Sequence, residues 1–116
     1  MAFEVEVTDE FKQWWYTLDQ AEQSSIEESV ELLESVGPSL GRPHADTLKG
    51  STVPNMKELR VQHVGRPLRI FFAFDPRRAA MLLIGGDKTG NNRFYEEMLP
   101  KAEAIYRQHL RELERG

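Results

Sequence analysis

The chain contains no cysteine. Disulfides, cysteine-bound zinc and a thiol nucleophile are therefore excluded, and a reducing, cytoplasmic setting is expected. There is no apolar run of membrane-spanning length and no signal-peptide pattern, so no membrane partner is expected. Histidine is sparse. His44, His63 and His109 are scattered without the spacing of metal ligands, and neither a metal nor a cofactor is expected. The glycine-rich stretch Gly85-Gly86-Asp87-Lys88-Thr89-Gly90 lacks the G-x-x-x-x-G-K-S/T pattern of a nucleotide-hydrolysing phosphate loop. Internal repeats and low-complexity tracts are missing too.

What is present is ordinary in amount and uneven in place. The 116 residues fit one domain, 1–116, and 40% hydrophobic residues can bury one modest core. The net charge of -4 hides a segregation. Residues 1–40 hold ten acids and one base, for -9. Residues 41–95 hold ten bases and four acids, for +6. The remainder, with four bases and five acids, adds -1. A local basic field governs polyanion binding more than the total does.

FEVEV, residues 3–7, alternates as a half-buried strand would. Thr8 offers an N-cap to a helix with Phe11, Trp14, Trp15 and Leu18 at helical spacing. Asp19 and Glu22 form a capping box for a second helix that buries Ile26, Val30 and Leu33 and stops at Gly37-Pro38. Residues 37–47 read as a loop. Strands are expected over 56–62, 68–74 and 79–85, with Asp75-Pro76-Arg77-Arg78 as a tight turn between the last two. A short helical piece over 92–99 and a further helix opening at Pro100 complete the chain. The fold class is α+β, in the order β-α-α-β-β-β-α. A small, antiparallel-rich twisted sheet carries an N-terminal helical hairpin and a C-terminal helix. With the helices packed on one face, the other face is expected to be free.

Strand alternation assigns side chains to that face. With Leu59, Val61, Leu68, Ile70 and Phe72 in the core, Glu58, Arg60, Arg69, Phe71 and Ala73 point the other way. Lys88 leaves the end of the next strand near this patch, and Tyr95 follows. Such a cluster suits RNA cleavage by attack of a 2′-hydroxyl on its own phosphate, since positioned cations stabilise the charge that builds on the phosphorane. A carboxylate could take the hydroxyl proton, and a tyrosine or a cation could assist the leaving oxygen. Glu58, Arg60, Arg69, Lys88 and Tyr95 are the candidate catalytic residues. Lys57, Arg77, Arg78 and Arg93 are candidates for holding RNA. The competing readings are structural: a surface ion pair between Glu58 and Arg60, a pair between Arg69 and Asp87, and a solvated turn at Lys88.

Several stretches together resemble the HigB-like, phage-derived toxins of the RelE/ParE superfamily. They are LKG (48–50), MKELR (56–60), LRIFFAFDPRRAAMLLIGGDKTG (68–90) and FYEEMLPKAEAIYRQHL (94–110). The resemblance implies a compact α/β toxin encoded beside a helix-turn-helix, HigA-like antitoxin, the pair regulating its own operator DNA. It implies a metal-independent endoribonuclease that cuts mRNA on the ribosome. Arg69 matches the strand arginine that grips substrate phosphate. Lys88 falls near a further active-site cation, Tyr95 near a C-terminal tyrosine, and Arg60 at another basic strand position. Met56 and Glu58 stand where RelE-type enzymes carry lysines, and Glu58 is similar to the glutamate that serves other members as general base. The superfamily also holds ParE-like inhibitors of DNA gyrase. A catalytically inactive module that binds antitoxin and DNA is the third reading.

Overall fold

The computed structural model describes residues 2–116. One five-stranded sheet organises them, in the order β1-β5-β4-β3-β2. Its strands are β1 (Val5–Val7), β2 (Ala45–Thr47), β3 (Lys57–His63), β4 (Arg66–Phe74) and β5 (Ala80–Asp87). The pairings β2–β3, β3–β4 and β4–β5 are antiparallel, whereas β1 runs parallel to β5. Helices α1 (Asp9–Trp15) and α2 (Gln20–Val36) follow β1, and α3 (Phe94–Arg115) ends the chain.

Local chemistry sets the element boundaries. The Thr8 hydroxyl accepts the Phe11 N–H and donates to the Leu83 carbonyl at 2.6 Å, so one residue starts α1 and ties it to β5. At the start of α2 the capping box forms in both directions. Glu22 N–H donates to Asp19 Oδ1 and Asp19 N–H to Glu22 Oε1, each at 2.8 Å. Gly37 then ends α2 at φ 75°, and the Phe3 ring occupies the space a Cβ would need.

The sheet separates two cores. On one side Phe11, Ile26 and Leu33 of the hairpin pack on Leu59, Leu68, Ile70, Phe72 and Leu82. On the other, Phe94, Ala102 and Tyr106 of α3 cover Met56, Phe71, Ala73, Met81 and Leu83. Each large apolar side chain so buried contributes about 1.5–3 kcal/mol. The expectation of a free second face is corrected here. The helix α3 has its own apolar stripe and buries it on that face, leaving Phe71 and Ala73 with 0% and 1% exposure.

Three further details differ from the sequence reading. Residues 45–47 pair with Leu59, Glu58 and Lys57 as an edge strand instead of forming a loop. Pro100 lies inside a continuous α3 instead of opening a new helix. It forfeits one backbone hydrogen bond there, and the buried apolar stripe running through the proline on both sides outweighs that loss. Finally, β5 runs through Gly85 and Gly86 to Asp87. A bulge opposite Phe71/Phe72 inserts one residue into β5 and resets its alternation. A Cβ on Gly85 would lie 2.3 Å from the Trp14 ring, and one on Gly86 2.9 Å from the Phe94 ring. The two glycines are seats for aromatic rings on opposite faces of the sheet, and the turn begins at Lys88.

Candidate functional site

Glu58 is the centre of a network at the edge of the α3-covered face. β3 and β4 place Arg60 directly opposite Arg69, with Glu58 opposite Phe71. All three polar side chains therefore project to one side. The Glu58 carboxylate is 3% exposed and accepts from two neighbours. The Tyr95 hydroxyl donates to Oε1 at 2.6 Å, and Arg60 donates to Oε2 at 2.9 Å. The Arg69 guanidinium lies alongside, Nε 3.6 Å from Oε1, and donates to the Leu68 carbonyl at 3.1 Å.

The position of Arg69 is unusual. It is 5% exposed, and its Nε has no hydrogen-bond partner. Leaving a buried charged donor unmade costs of the order of 1–3 kcal/mol or more. The protein keeps a guanidinium within ion-pair reach of a carboxylate without closing the hydrogen bond. Tyr95 adds a second constraint. Burial, and then the hydrogen bond to Glu58 and its charge, hold its phenol above the usual pKa, against the opposing pull of Arg69. At neutral pH Tyr95 therefore carries its proton and offers it to Glu58.

Lys88 reaches the network from the other side. Its backbone N–H donates to the Pro67 carbonyl at 2.9 Å, and Asp87 Oδ1 accepts both the N–H and the hydroxyl of Thr89. Burial opposes ionisation of Asp87, but Thr89 and Arg66 outweigh it and hold the carboxyl below its usual range. This pinned turn sets Lys88 Nζ 5.1 Å from the centre of the Tyr95 ring, a cation–π contact worth about 0.5–1 kcal/mol.

Above the network lies an open groove of about 640 Å³, lined by Arg42, Asp46, Thr47, Leu48, Lys49, Glu58, Arg60, Lys88, Tyr95 and Leu99. Four of these carry positive charge. Arg42 makes a two-pronged contact with Asp46, at 3.0 and 2.9 Å, and that contact lowers the aspartate's pKa. The groove can take a strand of phosphates along its rim and one phosphate at its floor, where the Arg60 guanidinium, a carboxylate and a protonated phenol meet. Among the described residues there is no group of acidic and histidine side chains arranged to hold a metal ion.

A family model described as phage-derived protein Gp49-like matches residues 13–107. The chain belongs to the Gp49-like family. It is 46% identical over 93 residues to the candidate toxin HigB3 of Mycobacterium tuberculosis, covering 79% of this chain and 80% of that protein. To the candidate toxin HigB2 of the same organism it is 41% identical over 103 residues. That match covers 87% of this chain and 51% of HigB2, so the chain spans about half the length of that relative. The fold is that of RelE. An archaeal RelE–RelB complex from Pyrococcus horikoshii contains a chain matched with a TM-score of 0.60 at 13% identity, over 78% of this chain and 99% of that one. A free mutant form of the E. coli toxin RelE matches with a TM-score of 0.59 at 10% identity, over 84% and 96%.

In this Gp49-like chain the five candidate catalytic residues, Glu58, Arg60, Arg69, Lys88 and Tyr95, fall within one constellation. The four candidate RNA-holding residues do not join them. Lys57 points to the opposite side of β3 from Glu58 and donates to the Thr47 hydroxyl at 3.0 Å. Arg93 precedes α3 and pairs with Glu96 at 3.2 Å. Arg77 and Arg78 lie in the β4–β5 turn, at the other end of β4 from Arg69. Arg77 is held there by Asp75 at 2.7 Å and Glu6 at 3.0 Å. Asp87 pairs with Arg66, not with Arg69. The sequence reading missed Arg42 and Lys49 as groove residues. Their signal was available in the basic excess of residues 41–95, but their placement depends on the short strand β2.

Proposed function

We propose that this protein is the toxin of a toxin–antitoxin module and a metal-independent endoribonuclease that cuts mRNA on the ribosome. Its relatives HigB3 and HigB2 bear toxin names, and its fold is shared with RelE. The observation that carries the enzymatic reading is the carboxylate of Glu58 and the protonated phenol of Tyr95 lining a cation-rich groove, with the buried Arg69 and its unpartnered Nε directly behind them.

The chemistry follows from those groups. A 2′-hydroxyl attacks the adjacent phosphorus while Glu58 takes its proton. The O–P bond forms, and the charge on the phosphorane is met by Arg69, Arg60 and Lys88. The P–O5′ bond breaks, and Tyr95 gives its proton to the departing 5′-oxygen. The products are a 2′,3′-cyclic phosphate and a 5′-hydroxyl. The Tyr95–Glu58 hydrogen bond then returns the proton from Glu58 to the phenolate, so both groups are restored without an outside acid or base. The partners of this reading are mRNA, the ribosome and a cognate helix-turn-helix antitoxin, which with the toxin would sit on operator DNA. The whole chain, 1–116, acts as one domain.

The test is induction in growing cells, with mapping of mRNA 5′ ends and an assay of plasmid supercoiling in the same cultures. Cuts confined to translated messages, absent from Arg69→Ala, are expected. Altered supercoiling with intact messages would replace this reading with gyrase inhibition. Neither effect would leave a module that only binds antitoxin and DNA.

A further inference from the structure

A second groove, on the acidic side of the molecule, is unused by the site above. It has a volume of about 460 Å³ and lies between β1 and the hairpin. Val5, Val7, Trp15 and Val30 supply its apolar surface, over a floor of buried Phe11, Ile26 and Leu82. Tyr16, 77% exposed, stands at its margin. Glu27, Glu31 and Glu34 line its α2 wall, on one stripe of the helix, and Lys12 is the one base among its lining residues.

The backbone of β1 adds a further feature. β1 is an edge strand. Its ladder to β5 uses the Glu4 carbonyl, which accepts the Ala80 N–H, and the Thr8 N–H, which donates to the Leu82 carbonyl. Backbone groups alternate along a strand, so those of Val5 and Val7 point away from β5. Phe3, of the same parity, shows where that direction leads: its N–H donates to the Glu34 carbonyl of α2 at 2.7 Å. The unpaired edge of β1 therefore faces the groove. A sheet edge left open is a template for another strand.

We infer that this groove docks an extended segment of a partner protein in which lysine or arginine alternates with apolar residues. The segment adds a strand to β1, sets its apolar side chains on Val5, Val7 and Trp15, and aims its cations at Glu27, Glu31 and Glu34. Charge excludes the other occupants. Residues 1–40 carry ten acids against one base, so a second copy pairing edge to edge would bring two acidic surfaces together, and a nucleic acid would be repelled. The inference is independent of RNA cleavage, because it concerns the opposite charge and a different face.

The test uses the full chain and two short model peptides, one alternating lysine with valine and one alternating glutamate with valine. Binding is followed by the fluorescence of Trp14 and Trp15 together, and amide exchange is read residue by residue. The lysine peptide is expected to bind, to slow exchange at the Val5 and Val7 amides, and to weaken as salt rises. Combined Glu27→Lys and Glu31→Lys, both at exposed positions, should reduce affinity about tenfold through loss of exposed ion pairs while far-UV circular dichroism is unchanged. Val7→Pro removes an outward-pointing N–H and should also weaken binding. Equal binding of the glutamate peptide, no binding of the lysine peptide, or binding without protection of Val5 and Val7 would each overturn the inference. RNA is absent from the assay, so none of these results depends on whether the protein is a nuclease.

Discussion

Tyr95 is the residue whose role depends most on its surroundings. Its raised pKa makes it a donor at physiological pH, so Tyr95→Phe should lower cleavage about 10²- to 10³-fold while leaving RNA binding close to normal. Single-turnover cleavage beside an RNA-binding titration checks this; equal losses in both would assign Tyr95 to binding. In the parent protein the alkaline limb of the cleavage profile should lie above about pH 10, the ordinary value for a phenol, and Tyr95→Phe should abolish that limb. A different residue tests the packing. Gly85→Ala would drive a methyl group into Trp14, and a thermal melt should show a loss of about 3 kcal/mol. The catalytic candidates were legible because strand alternation is a strong rule: Arg60 and Arg69 share a face once Leu59 and Ile70 are buried. The meaning of the two glycines was not legible. Glycines before a lysine read as a turn unless one knows that a tryptophan from α1 and a phenylalanine from α3 arrive at them from either side.

Among the elements, α3 does more than fill space. Glu103 on its buried side accepts the Ser51 hydroxyl at 2.8 Å and the Thr52 N–H at 2.6 Å, and Arg107 donates to the Thr52 hydroxyl. Burial works against ionisation of Glu103, but these hydrogen bonds, with Arg107 nearby, hold its carboxyl below the usual range. The helix thus fastens the chain between β2 and β3, which carries Lys49 at the groove. Glu103→Ala should cost about 2 kcal/mol and speed amide exchange at Thr52 and Val53 ahead of the rest of the sheet. Uniform acceleration across the sheet would refute a local clasp. This role of α3 explains what the sequence concealed about elements. Its apolar stripe was visible, but not the face it would cover, and Pro100 disguised one helix as two. β2 was hidden for another reason: three residues carry too little periodicity to announce a strand, and this one exists because β3 offers it an edge.

At the scale of the molecule, two grooves carry opposite charge, one lined by four bases and the other by three glutamates. If Arg42, Lys49, Arg60 and Lys88 all meet phosphates, the logarithm of RNA affinity should fall with the logarithm of salt at a slope near -3, from about -0.7 per contact on a single strand. A slope near zero would deny the groove its ligand. The far end of the sheet contributes to acid stability. Burial opposes the Asp75 charge, but His109 at 2.9 Å, Arg77, and the backbone N–H groups of Ala79 and Arg77 overcome it, so its carboxyl titrates below its ordinary value. A carboxyl depressed in the folded state stabilises fully above its unfolded pKa and loses that contribution as pH falls through the lower, folded one. Asp75→Asn should therefore remove about 3 kcal/mol near neutrality and progressively less as pH falls below the ordinary aspartate value, as urea melts across that range would show. These contacts also clamp the distal half of α3, while its first turn delivers Tyr95. Translation makes this helix after every strand of the sheet. A growing polypeptide halted before residue 94 would hold Arg60, Arg69 and Glu58 but neither Tyr95 nor a cover over its second core. On the proposed function, a chain still without α3 would therefore lack both the proton donor and a closed second core.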